Sequence, residues 1–306
     1  MKTLTGKTAV ITGAGSGLGL EFAKTAARLG MNITLVDINS DSLEKAQKEI
    51  SELGVKSIIV KADVSKFSDM ENVAKKSEEA FGPVTLLINN AGVSSGGLVW
   101  ELEDKDWQKV LGIDFYGVLY GIKAFVPKMI EYANKYKDYF GYIVNTASLA
   151  GFISYPTMGA TVDNTNAQNT YNAAKSAVIS LSETLQAELN LVTDQIQVSV
   201  LTPGFIKTNI AKASFKPEGQ VVEEPKGVTA GREMFTNFVN NSTYLASHVV
   251  ESTFKAIQKG DFYIFLGDDE TFSVSKKMES VMKRSYFDAL RMFSPEVYQK
   301  MVDHMK

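Results

Sequence analysis

The chain has 306 residues, 44% hydrophobic and 22% charged, enough for one large domain or two small ones with a substantial core. A net charge of -3, with Lys and Arg spread among Asp and Glu, argues against a nucleic-acid footprint. With no Cys there is no disulfide framework, thiolate nucleophile or cysteine-bound metal, and His248 and His304 lie outside any ligand motif, so zinc chemistry and a Ser-His hydrolase lack support.

Met1 to Lys7 lacks a long apolar core, and no run approaches the roughly 18 apolar residues of a membrane span. The expectation is a soluble cytoplasmic protein without a membrane partner. Thr8 to Ile11 is a β-branched run that reads as a strand, followed at once by Thr12-Gly13-Ala14-Gly15-Ser16-Gly17-Leu18-Gly19 and helix formers to Leu29. Strand, glycine turn and helix in that order bring backbone N–H groups and a positive helix end to one point, which suits a phosphate. The spacing is Thr-Gly-x-x-x-Gly-x-Gly rather than Gly-x-Gly-x-x-Gly. Gly6-Lys7-Thr8 mimics the tail of a P-loop, but Met1 stands where the first Gly of that motif belongs, which discards it.

Asn32 to Val36 reads as a second strand ending in Asp37, at the distance where a dinucleotide fold places an acid on the ribose 2′-OH. A carboxylate there repels a 2′-phosphate and favours NAD over NADP; the alternative is an Asp that merely starts the next helix. Helical stretches then alternate with apolar strands: Asp41 to Leu53, Ser57 to Lys61, Phe67 to Phe81, Thr85 to Asn89, Trp107 to Tyr136, Tyr142 to Asn145, Tyr171 to Val192 and Gln197 to Leu201. Strands apolar throughout and separated by helices predict a doubly wound α/β fold, a parallel sheet covered on both faces. Without repeats or linkers, residues 1–306 read as one domain.

Ligands in such sheets sit outside the carboxyl ends of the strands. Those ends carry Gly13 to Gly19, Asp37, Asp63, Asn89-Asn90-Ala91-Gly92, Ser148 and Pro203-Gly204. Tyr171 and Lys175 are four apart and share one helix face, so both can point at Ser148: a proton-transfer group beside a cation. The same spacing also clothes ordinary solvated helix faces.

As a set, Thr12-Gly13-x-x-x-Gly17-x-Gly19, Asn89-Asn90-Ala91-Gly92, Ser148, Tyr171-x-x-x-Lys175 and Pro203-Gly204 resemble the classical short-chain dehydrogenase/reductase family, in its order, from Lys7 to Thr208 and more loosely to Leu266. The resemblance implies a Rossmann fold with a mostly seven-stranded parallel sheet. It implies that Gly13, Ser16, Gly17, Leu18 and Gly19 hold the pyrophosphate and nearby ribose of NAD(H), and that Asp63 with Val64 meets the adenine. Asn90 and Gly92 then border the adenosine side, while Pro203, Ile206 and Thr208 border the nicotinamide. Tyr171 is the implied acid-base, Ser148 binds the substrate oxygen, and Lys175 lowers the Tyr171 pKa and holds the nicotinamide ribose. A homodimer or homotetramer is also implied, pairing the helices at Trp107 to Tyr136 and Tyr171 to Val192.

Three features depart from the family. Asp114, in Gly112-Ile113-Asp114-Phe115-Tyr116-Gly117, stands where the family commonly has an Asn that holds a relay water; it either serves that relay or simply pairs with Lys175. An insertion containing Phe152 to Met158 and Asp163 to Thr170 separates Ser148 from Tyr171. Beyond the core at 1–204, residues 205–232 read as a substrate lid, and 267–306 as a helical C-terminal extension that either braces the domain or lines a pocket. The leading expectation is an NAD(H)-dependent oxidoreductase of a secondary alcohol or ketone, with a hydroxysteroid-like substrate as a refinement. The alternatives are an acyl-chain or polyol ketoreductase, a weakly catalytic NAD-binding sensor or scaffold, and an extended-type nucleotide-sugar epimerase.

Overall fold

A computed structural model describes residues 3–93, 99, 102–154, 168–207, 237, 239–292, 295 and 299. Seven strands form one sheet: β1 (Thr8–Thr12), β2 (Asn32–Asp37), β3 (Ser57–Lys61), β4 (Val84–Asn89), β5 (Gly141–Thr146), β6 (Ile196–Leu201) and β7 (Tyr263–Ile264). They are all parallel, in the order β3-β2-β1-β4-β5-β6-β7, so the chain winds outward from β1 in one direction and then from β4 in the other. The crevice between β1 and β4 is the switch point at which such folds bind ligands.

The helices are α1 (Gly17–Arg28), α2 (Ser40–Ser51), α3 (Phe67–Phe81), α4 (Asp104–Val110), α5 (Gly117–Lys135), α6 (Gln168–Leu189), α7 (Ala246–Lys259) and α8 (Asp268–Met282). Successive side chains of a strand point to opposite faces, and the core divides accordingly. Val10, Val36, Leu87 and Val198 pack with Val73, Met129 and Val178 on one side of the sheet. Ile11, Leu35, Ile88 and Leu201 pack with Phe22, Leu43 and Val249 on the other. Each large apolar side chain so buried contributes about 1.5–3 kcal/mol.

Three differences from the sequence expectation have local causes. The single helix expected at Trp107 to Tyr136 starts earlier and widens between α4 and α5 into a π-helical turn, Leu111–Tyr116, running over Asp104–Lys135. That helix is long and apolar enough, by length and composition, to cross a membrane, and 44% of its apolar window is buried in the fold. Polar residues intersperse this helix, so no continuous apolar run marks it in the sequence. Finally, β7 is shorter than Phe262 to Leu266, because the Leu266 N–H is donated to the Glu270 carboxylate (2.6 Å) and leaves the ladder. Most of the insertion, all of the lid beyond Lys207 and most of the extension beyond Met292 lie outside the described residues.

Candidate active site

At the carboxyl ends of the strands a cavity of about 400 Å³ runs from β2 across the switch point to the ends of β5 and β6. Its first part is built from glycine. Gly13 (φ +67°) and Gly17 (φ +55°) take left-handed backbone that side chains disfavour, and a Cβ at Gly19 would run into the Gly13 carbonyl. The turn therefore delivers α1 close beneath the cavity. Thr12 fastens it to the neighbouring strand: its Oγ1 accepts from Asn90 N–H (2.9 Å) and Ala91 N–H (3.0 Å), and its carbonyl accepts from Asn90 Nδ2 (3.0 Å).

Asp37 closes the far end. Its Oδ2 accepts from Gly15 N–H and its Oδ1 from Asn39 N–H, both at 3.0 Å, so the carboxylate is oriented into the cavity mouth. A Cβ at Gly15 would come within 2.9 Å of that oxygen. Asp63 accepts from Ser65 Oγ (2.6 Å) and Ser65 N–H (3.1 Å); burial pushes its pKa up, but these bonds and Lys66 outweigh it and hold the carboxyl below its ordinary value. A glycine-rich cradle at a helix N-terminus, with an acid one strand away, fits a dinucleotide: phosphates on the Gly13–Gly19 turn and a ribose diol at Asp37.

The other part carries the reactive side chains. Ser148 follows β5 and caps a short 3₁₀ turn, Leu149–Gly151; its Oγ accepts from Ala150 N–H and donates to the Pro203 carbonyl, both at 3.2 Å. Tyr171 sits in the first turn of α6, its ring partly exposed to the cavity. Lys175, one turn later and only 3% exposed, places Nζ 5.4 Å from the Tyr171 ring centroid. Nζ donates to the Thr146 carbonyl (2.9 Å) and lies 3.1 Å from Asp114 Oδ2. The π-helical turn aims Asp114, fully buried, at this point, with Oδ1 accepting from Val93 N–H at 2.8 Å. A Cβ at Gly92 would stand 3.1 Å from Asp114 Oδ2 and 3.5 Å from Lys175 Nζ, so a bare backbone there leaves room for the pair.

The electrostatics follow from burial and this pair. Burial pushes the Tyr171 hydroxyl above the ordinary tyrosine value and Asp114 pushes the same way, while Lys175 and the Ser148 hydroxyl pull it down. Burial disfavours the Lys175 cation, but Asp114 and Tyr171 outweigh that and raise its pKa. The Asp114 carboxyl is raised by burial, against the pull of Lys175 and the Val93 N–H. Asp114 thus lies at ion-pair distance from Lys175.

Gly13, Ser16, Gly17, Leu18, Gly19, Asp37, Asp63, Val64, Asn90, Gly92, Asp114, Ser148, Tyr171, Lys175, Pro203 and Ile206 all line this one cavity; Thr208 lies outside the described residues. Sequence reasoning missed two supports. Asn89 Nδ2 donates to Asn145 Oδ1 (2.9 Å) and Asn145 Nδ2 to Ser182 Oγ (3.0 Å), a buried chain linking β4, β5 and α6 behind the site. Glu270, in the first turn of α8, accepts from Gly204 N–H at 2.7 Å. An Asn inside an apolar strand is a sequence signal for the first; Glu270 looks like any acid at a helix start.

The family described as short chain dehydrogenase matches residues 7–219. A CLA biosynthesis dehydrogenase/reductase from Lactiplantibacillus plantarum is 30% identical, over 86% of this chain and 89% of that protein. An NADP-dependent (R)-specific alcohol dehydrogenase from Lentilactobacillus kefiri is 32% identical over 67% of this chain and 75% of its own length. Among solved structures, a short chain dehydrogenase/reductase from Burkholderia phymatum in complex with NAD superposes with a TM-score of 0.82 at 34% identity, covering 94% of this chain and 99% of that one. With this family match, this architecture and this site, the chain belongs to the short-chain dehydrogenase/reductase family and is an oxidoreductase of that type.

Proposed function

We propose that the protein is an NAD(H)-dependent oxidoreductase that interconverts a secondary alcohol and a ketone. The observation that carries this reading is that Ser148, Tyr171 and Lys175 share one cavity with Asp37 at its far end. When bound, NAD(H) supplies or accepts the hydride at its nicotinamide ring. The chain's own residues do the rest. Tyr171 takes the alcohol proton in oxidation and returns it in reduction, and Ser148 hydrogen-bonds the substrate oxygen. Lys175 stabilises the Tyr171 anion, and each unit by which that pKa falls corresponds to about 1.4 kcal/mol. Asp37 would accept from the ribose hydroxyls and repel a 2′-phosphate, which supports NAD rather than NADP.

Leu149, Phe205, Ile206 and Val239 give the substrate end of the cavity an apolar wall. That favours a bulky apolar substrate, with hydroxysteroids or related alicyclic alcohols as the finer proposal. We also propose a homodimer or homotetramer formed through α5 and α6, where Tyr116, just ahead of α5, is exposed; a monodisperse monomer by light scattering contradicts it. A second reading, an NAD-binding sensor with weak catalysis, draws on the Asp114–Lys175 pair, which offsets the charge that should help Tyr171. A fluorescence-monitored NADH screen against ketones graded by size tests both. Turnover that improves with apolar bulk supports the leading reading, and tight NADH binding without turnover of any ketone supports the sensor.

A further inference from the structure

Among the described residues of the C-terminal extension, Glu270 is the buried acid, with 3% exposure at the start of α8. One carboxylate oxygen accepts from Gly204 N–H at 2.7 Å and the other from Leu266 N–H at 2.6 Å. The short lengths are those of hydrogen bonds to a charged acceptor. Glu270 thus ties together the loop after β6 and the loop after β7, at the strand ends where the cavity lies.

The peptide between Pro203 and Gly204 is held on both sides. Its N–H is given to Glu270, while its carbonyl accepts from Leu149 N–H (3.0 Å) and from the Ser148 hydroxyl (3.2 Å). A peptide is one conjugated unit, so an anion accepting from the N–H end makes the carbonyl end a stronger acceptor. The fit is close: a Cβ on Gly204 would stand 2.8 Å from Glu270 Oε1.

We infer that Glu270 is a positioning residue for the reaction, acting through the Pro203-Gly204 peptide to orient the Ser148 hydroxyl and the wall of the cavity. The inference rests on the proposed role of Ser148. It makes the extension a working part of the site rather than a brace alone.

The grip depends on charge. A carboxylate accepts through both oxygens; once protonated, one oxygen becomes a donor and one of the two bonds weakens. Burial pushes the Glu270 pKa up to about 6, with neighbouring Asp269 adding to the rise and the two N–H groups opposing it. Tyr244, whose hydroxyl is 3.5 Å from Asp269, faces the same cluster from the segment before α7. Among the described residues no Lys or Arg pairs with Glu270, so its own ionisation sets the state of the clamp.

The test compares wild type with Glu270→Gln in three readouts: kcat between about pH 5 and 8, NADH affinity by fluorescence titration, and melting temperature without nucleotide. Wild-type kcat should rise through a step near pH 6, where Glu270 ionises. Glu270→Gln should lose that step and about tenfold in kcat at neutral pH, with the NADH Kd held within about threefold. A step that survives the substitution, or an unchanged kcat alongside a lowered melting temperature, overturns the inference. Because a buried acid with a raised pKa loses its stabilising contribution as pH rises through that pKa, the melting temperature of Glu270→Gln relative to wild type should climb from about pH 4.5 to 7; a pH-independent difference also overturns it. If Glu270→Gln does not fold, Gly204→Ala, which displaces the carboxylate, must reproduce the loss of kcat, and normal turnover there overturns the inference. Wild type that binds no NADH and turns over no ketone defeats the proposed function instead, and the melting comparison still reads the ionisation of Glu270.

Discussion

Lys175 Nζ lies 3.1 Å from Asp114 Oδ2 in a site where both side chains are buried. The cation that should favour a Tyr171 anion therefore shares its field with an anion brought in on a π-helical turn. Removing that anion gives a signed prediction. Burial is the largest influence raising Tyr171 and persists in Asp114→Asn, but the change removes the second raising influence while Lys175 and Ser148 still pull the pKa down. The acid limb of the kcat/KM profile for alcohol oxidation should move to lower pH, read by steady-state rates across the range. An unmoved limb, or one displaced upward, means that the pair protects the Lys175 cation more than it opposes the Tyr171 anion.

Asp37 faces the ribose end of the cavity with its carboxylate fixed by Gly15 and Asn39. The wild type should prefer NADH to NADPH, and Asp37→Ala should narrow the preference by about tenfold, about 1.4 kcal/mol. The measurement is the ratio of kcat/KM values for the two nucleotides. Equal efficiency in the wild type would show that Asp37 does not govern the choice.

Gly19→Ala drives a methyl group into the Gly13 carbonyl, which is backbone, and against the Asn90 side chain, itself held by Thr12. Overpacking of this kind costs about 1–3 kcal/mol and should also weaken NADH binding. Gly54→Ala is the contrast: its φ of +77° disfavours a side chain, but its Cβ would meet nothing and it lies away from the cavity. It should cost about 1–2 kcal/mol and leave NADH affinity intact. Chemical denaturation and nucleotide titration on the two variants separate the effects, and equal NADH binding by both contradicts the reading of the turn.

Much of this was legible in the chain itself. Thr8 to Ile11 followed by the glycine turn declared the first βα unit, and uniformly apolar strands declared a parallel sheet buried on both faces. Ser148, Tyr171 and Lys175 were legible because the helix period and the strand end are local rules. Their convergence needed the register of β5 against β6, which places Thr146 opposite Leu201. The π-helical turn at Asp114 carries no local sequence signal; it packs against α6, a contact between segments far apart in the chain. Glu270 was hidden for a similar reason: its partners, Gly204 and Leu266, are backbone N–H groups that have no side-chain code.

The reading as a whole turns on Tyr171, and Tyr171→Phe measures it most directly. The change removes the transferable proton and keeps the ring, so NADH titration should give a Kd close to wild type while ketone turnover falls by several orders of magnitude. Retention of a tenth of the wild-type rate, with NADH still bound, would place the acid-base step on another residue and contradict the mechanism.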